Sequence, residues 1–214
     1  MTLPPATMRT VRLGLGRGLR IQADLERHKR LLVGLYEIEL DRWLRLVCRT
    51  GYGAFDVGGQ LGYDALVLAK RTGGRVVTFE CDASWCDAIR RAISANPSVG
   101  QRIDLVQAFV GADDDTAAGR VSLDAHAARV GWDPDVVKLD IEGAEHDALK
   151  GAAELIARRR PHLIVEVHSA QLERECGAWL VERGYKPRVL SQRSFMPDYR
   201  PTSHNRWLIA IGSW

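Results

Sequence analysis

A glycine-rich loop and one acidic residue form the first group whose spacing indicates chemistry. The loop has the sequence GGQLG over residues 58–62 and follows a short apolar run that contains Asp56 and Val57. Glycines adopt positive φ readily and let a backbone pass close to a ligand. Glu80 ends the next apolar run, a position from which a carboxylate accepts both hydroxyl protons of an adenosine ribose. The loop and Glu80 together predict a site for an adenosine-containing cofactor.

The details of the loop favour S-adenosylmethionine over NAD. The dinucleotide fingerprint G-x-G-x-x-G places a pyrophosphate over a helix N-terminus, but Val57 stands where the first of these glycines is needed. Asp56 would also bring negative charge towards a pyrophosphate. S-adenosylmethionine has no phosphate and carries a sulfonium and an ammonium, which an acidic residue beside the loop attracts. A tight turn without a ligand is the alternative that the loop leaves open.

Three charged residues alternate along a later segment, VKLDIEG over residues 137–143. Because the side chains of a strand alternate between its faces, Lys138, Asp140 and Glu142 fall on one side. Charges on a central strand are costly in a packed core unless paired, and cost less at a strand end that opens onto a polar cleft. The pattern therefore predicts such a cleft, while a structural ion pair of Lys138 with either carboxylate remains open.

His168 ends the next apolar run, which closes with EVH over residues 166–168. Adjacent strands lie ~4.8 Å apart, so its imidazole is within reach of the same cleft. A histidine, with an ordinary pKa of about 6.5, suits proton transfer near neutral pH, and a purely structural role is the alternative for a histidine taken alone. No metal is predicted, and Mg²⁺ bound by Asp140 and Glu142 is the alternative.

Apolar runs alternate with helical patterns from residue 51 onward, which predicts a mostly parallel sheet with helices on both faces. This is a Rossmann-like α/β fold, in which ligands bind beyond the carboxyl ends of the strands. Seven strands are expected, at residues 54–58, 75–80, 103–110, 135–141, 162–167, 189–190 and 207–211. The main helices are expected at residues 63–71, 84–95 and 144–160, and after Ser169. We expect one domain over residues 1–214, with residues 51–214 as its core.

Residues 1–50 are expected to form an extension that caps this core. Residues 37–47 have helical spacing, whereas residues 9–33 fit either a hairpin or an irregular segment. The first thirty residues are also basic, with seven Arg and Lys side chains against Asp24 and Glu26. Such a charge run is either a solvated surface, which we favour, or an arm for an acidic ligand or a nucleic acid.

Composition excludes several classes of protein. Apolar residues make up 46% and charged residues 27% of the 214 residues, as in ordinary globular proteins, and a net charge of +3 does not indicate a polyanionic partner. No stretch approaches the ~20 apolar residues of a transmembrane helix, and the N-terminus has no signal-peptide pattern. The four cysteines are scattered, without metal-binding spacing. We therefore expect a cytoplasmic protein with no nucleic-acid partner and no membrane span, and the sequence gives no indication of its oligomeric state.

Four aromatic residues near the C-terminus either line an apolar acceptor pocket or pack the closing strands: Tyr185, Phe195, Tyr199 and Trp207. The connection over residues 191–205 is long and rich in Arg, Pro and Ser, and is a candidate lid.

The string VKLDIEGAEHDALKGA at residues 137–152, followed by PHLIVEVH at residues 161–168, resembles the FkbM-type family of class I S-adenosylmethionine-dependent methyltransferases. The resemblance continues through GLYE at residues 34–37, FDVG at 55–58 and SLD at 122–124. The chain departs from the family in the loop, where Gly58-Gly59-Gln60 replaces the usual Gly-Ala-Asn. The Asp-Pro-Pro-Tyr type motif of nucleic-acid amino-methyltransferases is absent after the fourth strand, which argues against an adenine or cytosine acceptor.

The resemblance implies an O-methyltransferase acting on a small-molecule hydroxyl, in a sugar, glycolipid or secondary metabolite. It implies that Asp140, Glu142 and His168 face the transferred methyl group or the acceptor. On this basis we expect His168 to be the general base that takes the proton of the acceptor hydroxyl, with Asp140 as the rival base and Glu142 orienting the acceptor. Tyr36 and Glu37 are implied to close the pocket. The residues implied to hold the cofactor, S-adenosylmethionine, are Asp56, Gly58, Gly59, Gln60, Gly62, Glu80, Gln107, Ala108 and Asp140. A non-catalytic S-adenosylmethionine-binding module and an NAD-dependent oxidoreductase are the other functions left open.

Overall fold

The computed structural model of the chain describes residues 6–193 and 204–212. It begins with an antiparallel hairpin of β1 (Thr7–Thr10) and β2 (Arg20–Ala23), so the hairpin is the correct one of the two predictions for this segment. The remaining strands are β3 (Ala54–Val57), β4 (Val76–Glu80), β5 (Ile103–Gln107), β6 (Phe109–Val110), β7 (Arg120–Val121), β8 (Val136–Leu139), β9 (His162–Val167), β10 (Arg188–Ser191) and β11 (Arg206–Ala210).

Seven of these strands form the central sheet, in the order β10-β11-β9-β8-β3-β4-β5. Strands β9, β8, β3, β4 and β5 run parallel, and β11 is antiparallel to both of its neighbours. The chain moves outward from β3 through β4 to β5 and then returns to β8 on the other side of β3. In sheets of this kind, ligands bind beyond the carboxyl ends of the strands where the order reverses, which here lies between β3 and β8.

Helices cover both faces of the sheet. They are α1 (Lys29–Leu32), α2 (Asp41–Val47), α3 (Tyr63–Thr72), α4 (Ala83–Ala95), α5 (Pro97–Gly100), α6 (Leu123–Val130), α7 (Glu145–Lys150), α8 (Ala153–Arg159) and α9 (Ala170–Glu182). One apolar cluster joins the N-terminal hairpin, α2 and α3 to one face, and a second joins α6 to α9 to the other. Adjacent strand residues such as Ala54 and Phe55 belong to different clusters, because successive side chains point to opposite faces.

The central strands are buried on both faces, which explains their continuous apolar runs. Every residue of β8 and β9 is buried, including Lys138 and Glu166. A buried charge in a strand needs a partner of opposite charge or a hydrogen bond. These two residues therefore mark a part of the sheet that has a polar role in addition to packing. All seven predicted strands are found, and the predicted Rossmann-like class I methyltransferase fold, a mostly parallel sheet with helices on both faces, is confirmed.

The third strand, predicted over residues 103–110, is shorter than expected. It ends at Gln107, and β6 leaves the sheet to pair with β7 in parallel. The backbone N–H of Ala108 donates to the carbonyl of Glu80 over 3.0 Å, so Ala108 turns the chain across the end of β4. The apolar pattern continues through this turn because Val110 is also buried, which is why the prediction placed one strand there.

The helix predicted over residues 144–160 is two helices, α7 and α8. Their junction is Gly151, where a Cβ atom would lie 2.0 Å from the carbonyl oxygen of Gly111. A carboxylate then caps α8, because Asp124 accepts hydrogen bonds from the backbone N–H groups of Glu154 and Leu155. Both contacts come from distant parts of the chain, so the helical spacing of the sequence gave no sign of the break.

Residues 37–47 are helical as predicted, although the first turn is a 3₁₀ helix over Ile38–Leu40 and α2 begins at Asp41. No helix within residues 6–193 or 204–212 combines the length and apolar character that a membrane crossing requires.

Candidate functional site

A cleft lies at the carboxyl ends of β3, β4 and β8, where the strand order reverses. It consists of two adjoining lobes of about 240 and 340 Å³. Glu80, Ala108 and Phe109 line the first lobe, and Tyr36 and Asp64 line the second. The residues that line both lobes are Gly58, Gln60, Trp85, Asp140 and Glu142. The cleft therefore joins the glycine loop to the charged end of β8.

Gly58 holds the two central strands together at this point. Its φ is +94°, and a Cβ atom there would lie 1.8 Å from the carbonyl oxygen of Asp140. The N–H groups of Gly58 and Gly59 both donate to the carbonyl of Phe79, and the N–H of Asp140 donates to the carbonyl of Val57. Only a glycine allows the loop to approach the end of β8 so closely.

Glu80 lies directly against the loop. Its Oε2 accepts from the backbone N–H of Gln60 over 2.9 Å, and its Oε1 accepts from the backbone N–H of Asp82 over 2.9 Å. Each carboxylate oxygen has further lone-pair capacity for a ligand hydroxyl. Gln60 itself has a φ of +43°, an uncommon conformation for a residue with a side chain. The carboxylate and the loop thus fix each other at the edge of the first lobe.

Asp56 lies beneath the loop and does not line either lobe. It is buried in β3, where the hydroxyl of Thr78 donates to its Oδ2 over 2.9 Å. Burial, reinforced by the charge of Asp64, raises the pKa of Asp56 to about 7. The expected direct contact of Asp56 with a cofactor is therefore not supported by its position.

Lys138 is the centre of a buried charge cluster under the second lobe. Its side chain is only 1% exposed, and its Nζ lies 2.8 Å from Asp64, 3.7 Å from Glu37 and 3.7 Å from Asp140. Burial alone would lower the pKa of Lys138, but the three carboxylates outweigh burial and raise the pKa well above its ordinary value. The structural ion pair that the sequence left open is thus present with Asp140, and Asp64 is the closest partner.

His168 lies behind Asp140, between three carboxylates. Its Nδ1 is 2.7 Å from Glu145 Oε1, and its Nε2 is 3.5 Å from Asp140 Oδ1 and 3.7 Å from Glu166 Oε1. Glu145 is fully buried and also accepts from the backbone N–H of Gly143. Glu145 therefore orients the imidazole so that Nε2 faces Asp140.

The carboxylates control the protonation of His168. Burial alone would lower the pKa of His168, but the hydrogen bond to Glu145 and the negative charges of Asp140, Glu145 and Glu142 reverse this effect. The net pKa is raised above the ordinary 6.5. His168 therefore holds a proton more readily than a free histidine does.

Asp140, Glu166 and His168 also form a group that is able to hold a metal ion, because one donor atom from each lies within 4.8 Å of the others. Two carboxylates and an imidazole suit a divalent transition metal as well as Mg²⁺. Glu142, named with Asp140 in the magnesium alternative, is not part of this group and is instead exposed at the mouth of the cleft with a φ of +50°.

Several predicted site residues are brought together in the cleft and others are not. Those that line it are Gly58, Gly59, Gln60, Glu80, Ala108, Asp140 and Glu142. Gly62 instead begins α3, and Gln107 is exposed away from the lobes. Tyr36 lines the second lobe, and Glu37 pairs with Lys138 beneath it.

Aromatic residues that the sequence analysis missed stand at the open side of the first lobe. Trp85 is 39% exposed and Phe109 is 44% exposed, values that are unusual for large apolar side chains beside a cavity. Of the C-terminal aromatics, Tyr185 and Trp207 are buried and pack the core rather than a pocket. Phe195, Tyr199 and residues 194–203 of the candidate lid lie outside the described residues.

Comparisons with known proteins point to one family. The family model described as the methyltransferase FkbM domain matches residues 120–200. A structure of methyltransferase FkbM from Methylobacillus flagellatus KT is similar with a TM-score of 0.61 and 17% identity, over 74% of this chain and 43% of that chain. No curated protein matches the sequence.

Other solved structures share the fold at low sequence identity. An rRNA methylase from Streptococcus thermophilus has a TM-score of 0.55 and 13% identity, over 81% of this chain and 93% of that one. Aeropyrum pernix fibrillarin, in complex with natively bound S-adenosyl-L-methionine, has a TM-score of 0.52 and 11% identity, over 77% of this chain and 68% of that one. The predicted resemblance to FkbM-type methyltransferases is confirmed over residues 120–200, and the fold is shared more widely.

Proposed function

The chain is similar to the FkbM-type methyltransferases, and from this premise we propose that it transfers the methyl group of S-adenosylmethionine to a hydroxyl oxygen of a small molecule. The observation that carries the proposal is the contact of Glu80 with the loop at Gln60, beside a cleft lined by Asp140 and Glu142. This arrangement offers a carboxylate to a ribose and negative charge to a sulfonium.

The first lobe suits the adenosine half of the cofactor. In this proposal both oxygens of Glu80 accept from the ribose hydroxyls, and the backbone at Gly58 and Gln60 passes beside the ribose. Ala108, Phe109 and Trp85 surround the adenine, whose flat apolar faces favour aromatic neighbours. In this proposal Gly59 and Gly62 determine the conformation of the loop and make no direct contact with the cofactor.

The charge of the cleft argues against NAD. A pyrophosphate bound over the loop would lie near Asp140 and Glu142, which line both lobes. Like charges a few ångströms apart in a partly buried cleft repel strongly, whereas the sulfonium of S-adenosylmethionine is attracted. The bound cofactor in the fibrillarin of the same fold supports the same choice.

The transfer itself is an in-line displacement. The acceptor oxygen attacks the methyl carbon, the carbon–sulfur bond breaks, and its electron pair stays on sulfur to give S-adenosylhomocysteine. Asp140 lines both lobes and, unlike the exposed Glu142, is buried at the end of β8, so we assign to Asp140 the proton that the acceptor hydroxyl loses. His168, 3.5 Å behind Asp140 and oriented by Glu145, is placed to share that proton. Glu142 orients the acceptor at the mouth.

Calorimetry with S-adenosylhomocysteine and with NAD, each titrated into the wild-type chain, tests the proposed cofactor. We expect S-adenosylhomocysteine to bind and NAD to give no heat of binding. Binding of NAD, or of neither ligand by folded protein, would contradict the proposal. A screen of hydroxyl-bearing acceptors with methyl-labelled S-adenosylmethionine then tests transfer, and binding without turnover on any acceptor would favour a non-catalytic module instead.

A further inference from the structure

The second lobe has walls of opposite charge. Asp140 and Glu142 contribute carboxylates to its lining, while the N-terminal segment contributes three basic side chains: Arg27, His28 and Arg30. We call these three residues the basic rim. The basic bias of the first thirty residues is thus not spread evenly over a solvated surface, because part of it lines the cleft.

Among the described residues, no carboxylate forms an ion pair with the guanidinium groups of the rim. Within residues 6–193 and 204–212, neither Arg27 nor Arg30 has a carboxylate oxygen within 4.0 Å of its side-chain nitrogens. Asp24, in the same turn, instead accepts from the backbone N–H groups of Glu26 and Arg27. Two guanidiniums that line a cavity without an internal partner are available to an anion from outside the chain.

His28 adds a third donor to the rim. Its Nδ1 accepts from the backbone N–H of Asp24 over 3.0 Å, so in the neutral imidazole the proton is on Nε2. Nε2 is therefore a hydrogen-bond donor whether His28 is neutral or charged. The rim as a whole offers donors and positive charge, and no acceptor.

The size of the second lobe indicates that more than the cofactor enters it. The amino-acid half of S-adenosylmethionine is smaller than the adenosine half, yet the second lobe, at about 340 Å³, is larger than the first, at about 240 Å³. Two guanidiniums and an imidazole also exceed what a single cofactor carboxylate requires, since one arginine already binds a carboxylate through two parallel hydrogen bonds.

We propose that the basic rim binds an anionic group, a phosphate or a carboxylate, of the methyl acceptor. This inference rests on the proposed function and narrows it from any small hydroxyl compound to an anionic one. The anion at Arg27 and Arg30 positions the acceptor from the mouth of the second lobe, while its hydroxyl lies towards Asp140.

A small anion fits the surroundings better than a nucleic acid does. Glu142 lines the same lobe and Asp82 lines the adjoining one, so a polyanion crossing the mouth would meet repulsive charge within a short distance. Nucleic-acid contacts also need a basic stripe that follows several phosphates, whereas the rim comprises three neighbouring residues.

The test is a double substitution, Arg27→Gln with Arg30→Gln, compared with a control that removes two exposed arginines of the same segment, Arg12→Gln with Arg17→Gln. Inorganic phosphate and citrate are titrated into each protein saturated with S-adenosylhomocysteine. We expect phosphate or citrate affinity to fall about tenfold or more in the rim variant and to stay unchanged in the control, because charge-assisted hydrogen bonds are lost only in the former.

Two further titrations distinguish the outcomes. S-adenosylhomocysteine and 5′-methylthioadenosine, which lacks the amino-acid half, are titrated into both variants without phosphate. A tenfold loss of S-adenosylhomocysteine affinity in the rim variant, with methylthioadenosine unaffected, would assign the rim to the cofactor carboxylate and overturn the inference. Equal phosphate and citrate binding by the rim variant and the control would also overturn the inference. A single-stranded RNA oligonucleotide is titrated in the same way, and a wild-type chain that binds this RNA but neither small anion would overturn it as well. If the wild-type chain binds no S-adenosylhomocysteine, the proposed function fails first.

Discussion

The two ends of the cleft are built in different ways. At the β3–β4 end, the loop is held by backbone contacts, such as the hydrogen bonds from the N–H groups of Gly58 and Gly59 to the carbonyl of Phe79. At the β8–β9 end, Lys138, Asp140 and His168 are held by one another's charges in a buried cluster. Backbone contacts survive most side-chain changes, whereas a buried charge cluster depends on every member. We therefore expect substitutions at the first end to affect cofactor affinity, and those at the second to affect turnover or stability.

The largest effect is expected at Asp140 and His168. Asp140→Asn and His168→Gln should each lower turnover on an identified acceptor roughly 10²–10⁴-fold, because each removes part of the proton-accepting pair. S-adenosylhomocysteine affinity, measured by calorimetry, should change little, since the adenosine contacts are at the other end of the cleft. Unchanged turnover in both variants would remove Asp140 and His168 from the mechanism. In a separate test, loss of wild-type turnover on addition of a chelator would instead assign Asp140, Glu166 and His168 to a metal site.

Removal of the central charge of the cluster should destabilise the fold. Lys138→Met leaves Asp64, Glu37 and Asp140 without their shared cation, a change that costs about 3–5 kcal/mol in buried ion pairs. Chemical denaturation measures the free energy of unfolding. Lys150→Met is the matched control, because its pair with Asp147 is exposed and contributes ~1 kcal/mol or less. Equal losses in the two variants would contradict the role given to the buried cluster.

Gly58 lies where the two ends of the cleft meet, and it should tolerate no side chain because the backbone at the end of β8 is too close. Gly58→Ala places a Cβ 1.8 Å from a carbonyl oxygen at a φ of +94° and should cost roughly 3 kcal/mol or more of stability. Gly143→Ala is the control, since its φ is +119° but no atom lies within 4 Å of the added Cβ. Its loss should be limited to backbone strain, about 1–3 kcal/mol. Thermal melts that rank the two variants in the opposite order would refute the contact argument.

The smallest effect is a change in pH dependence. Neutral His168 is needed to share the acceptor's proton, so turnover should fall as pH decreases through its pKa, which is raised above 6.5. Glu145→Gln removes a carboxylate that raises this pKa, so the acidic limb of the pH–rate profile should move to lower pH. Asp147→Asn, an exposed residue of α7 that pairs with Lys150, should leave the limb where it is. An acidic limb that moves to higher pH in Glu145→Gln would contradict the conclusion that Glu145 raises the pKa of His168.

The difference between the two ends of the cleft also explains which features could be predicted from the sequence. The glycine loop and the strands β3, β4, β8 and β9 follow local patterns of glycine and apolar residues, and the bounds of these strands agree with the prediction to within two residues. Asp64 and Glu145, by contrast, reach Lys138 and His168 only through the packing of α3 and α7 against the sheet. Each is an ordinary acidic residue near the start of a helix, where such residues are common without any role.

Contacts between distant segments determine other features that the sequence does not show. The break at Gly151 depends on Gly111, and the position of Arg27 and Arg30 beside the second lobe depends on how the segment after β2 packs. A charge run looks the same in sequence whether it faces solvent or a cavity. Asp56 was expected at the cofactor because it adjoins the loop in sequence, but its side chain is buried beside Thr78 and lines neither lobe.

Calorimetry of Glu80→Gln with S-adenosylhomocysteine tests the central claim most directly, with Glu154→Gln, an exposed residue of α8, as control. Charge-assisted hydrogen bonds to the ribose contribute about 1.5–3 kcal/mol, so affinity should fall roughly tenfold to a hundredfold in Glu80→Gln and remain that of the wild type in the control. Wild-type affinity in a folded Glu80→Gln variant would contradict the placement of the cofactor in this cleft.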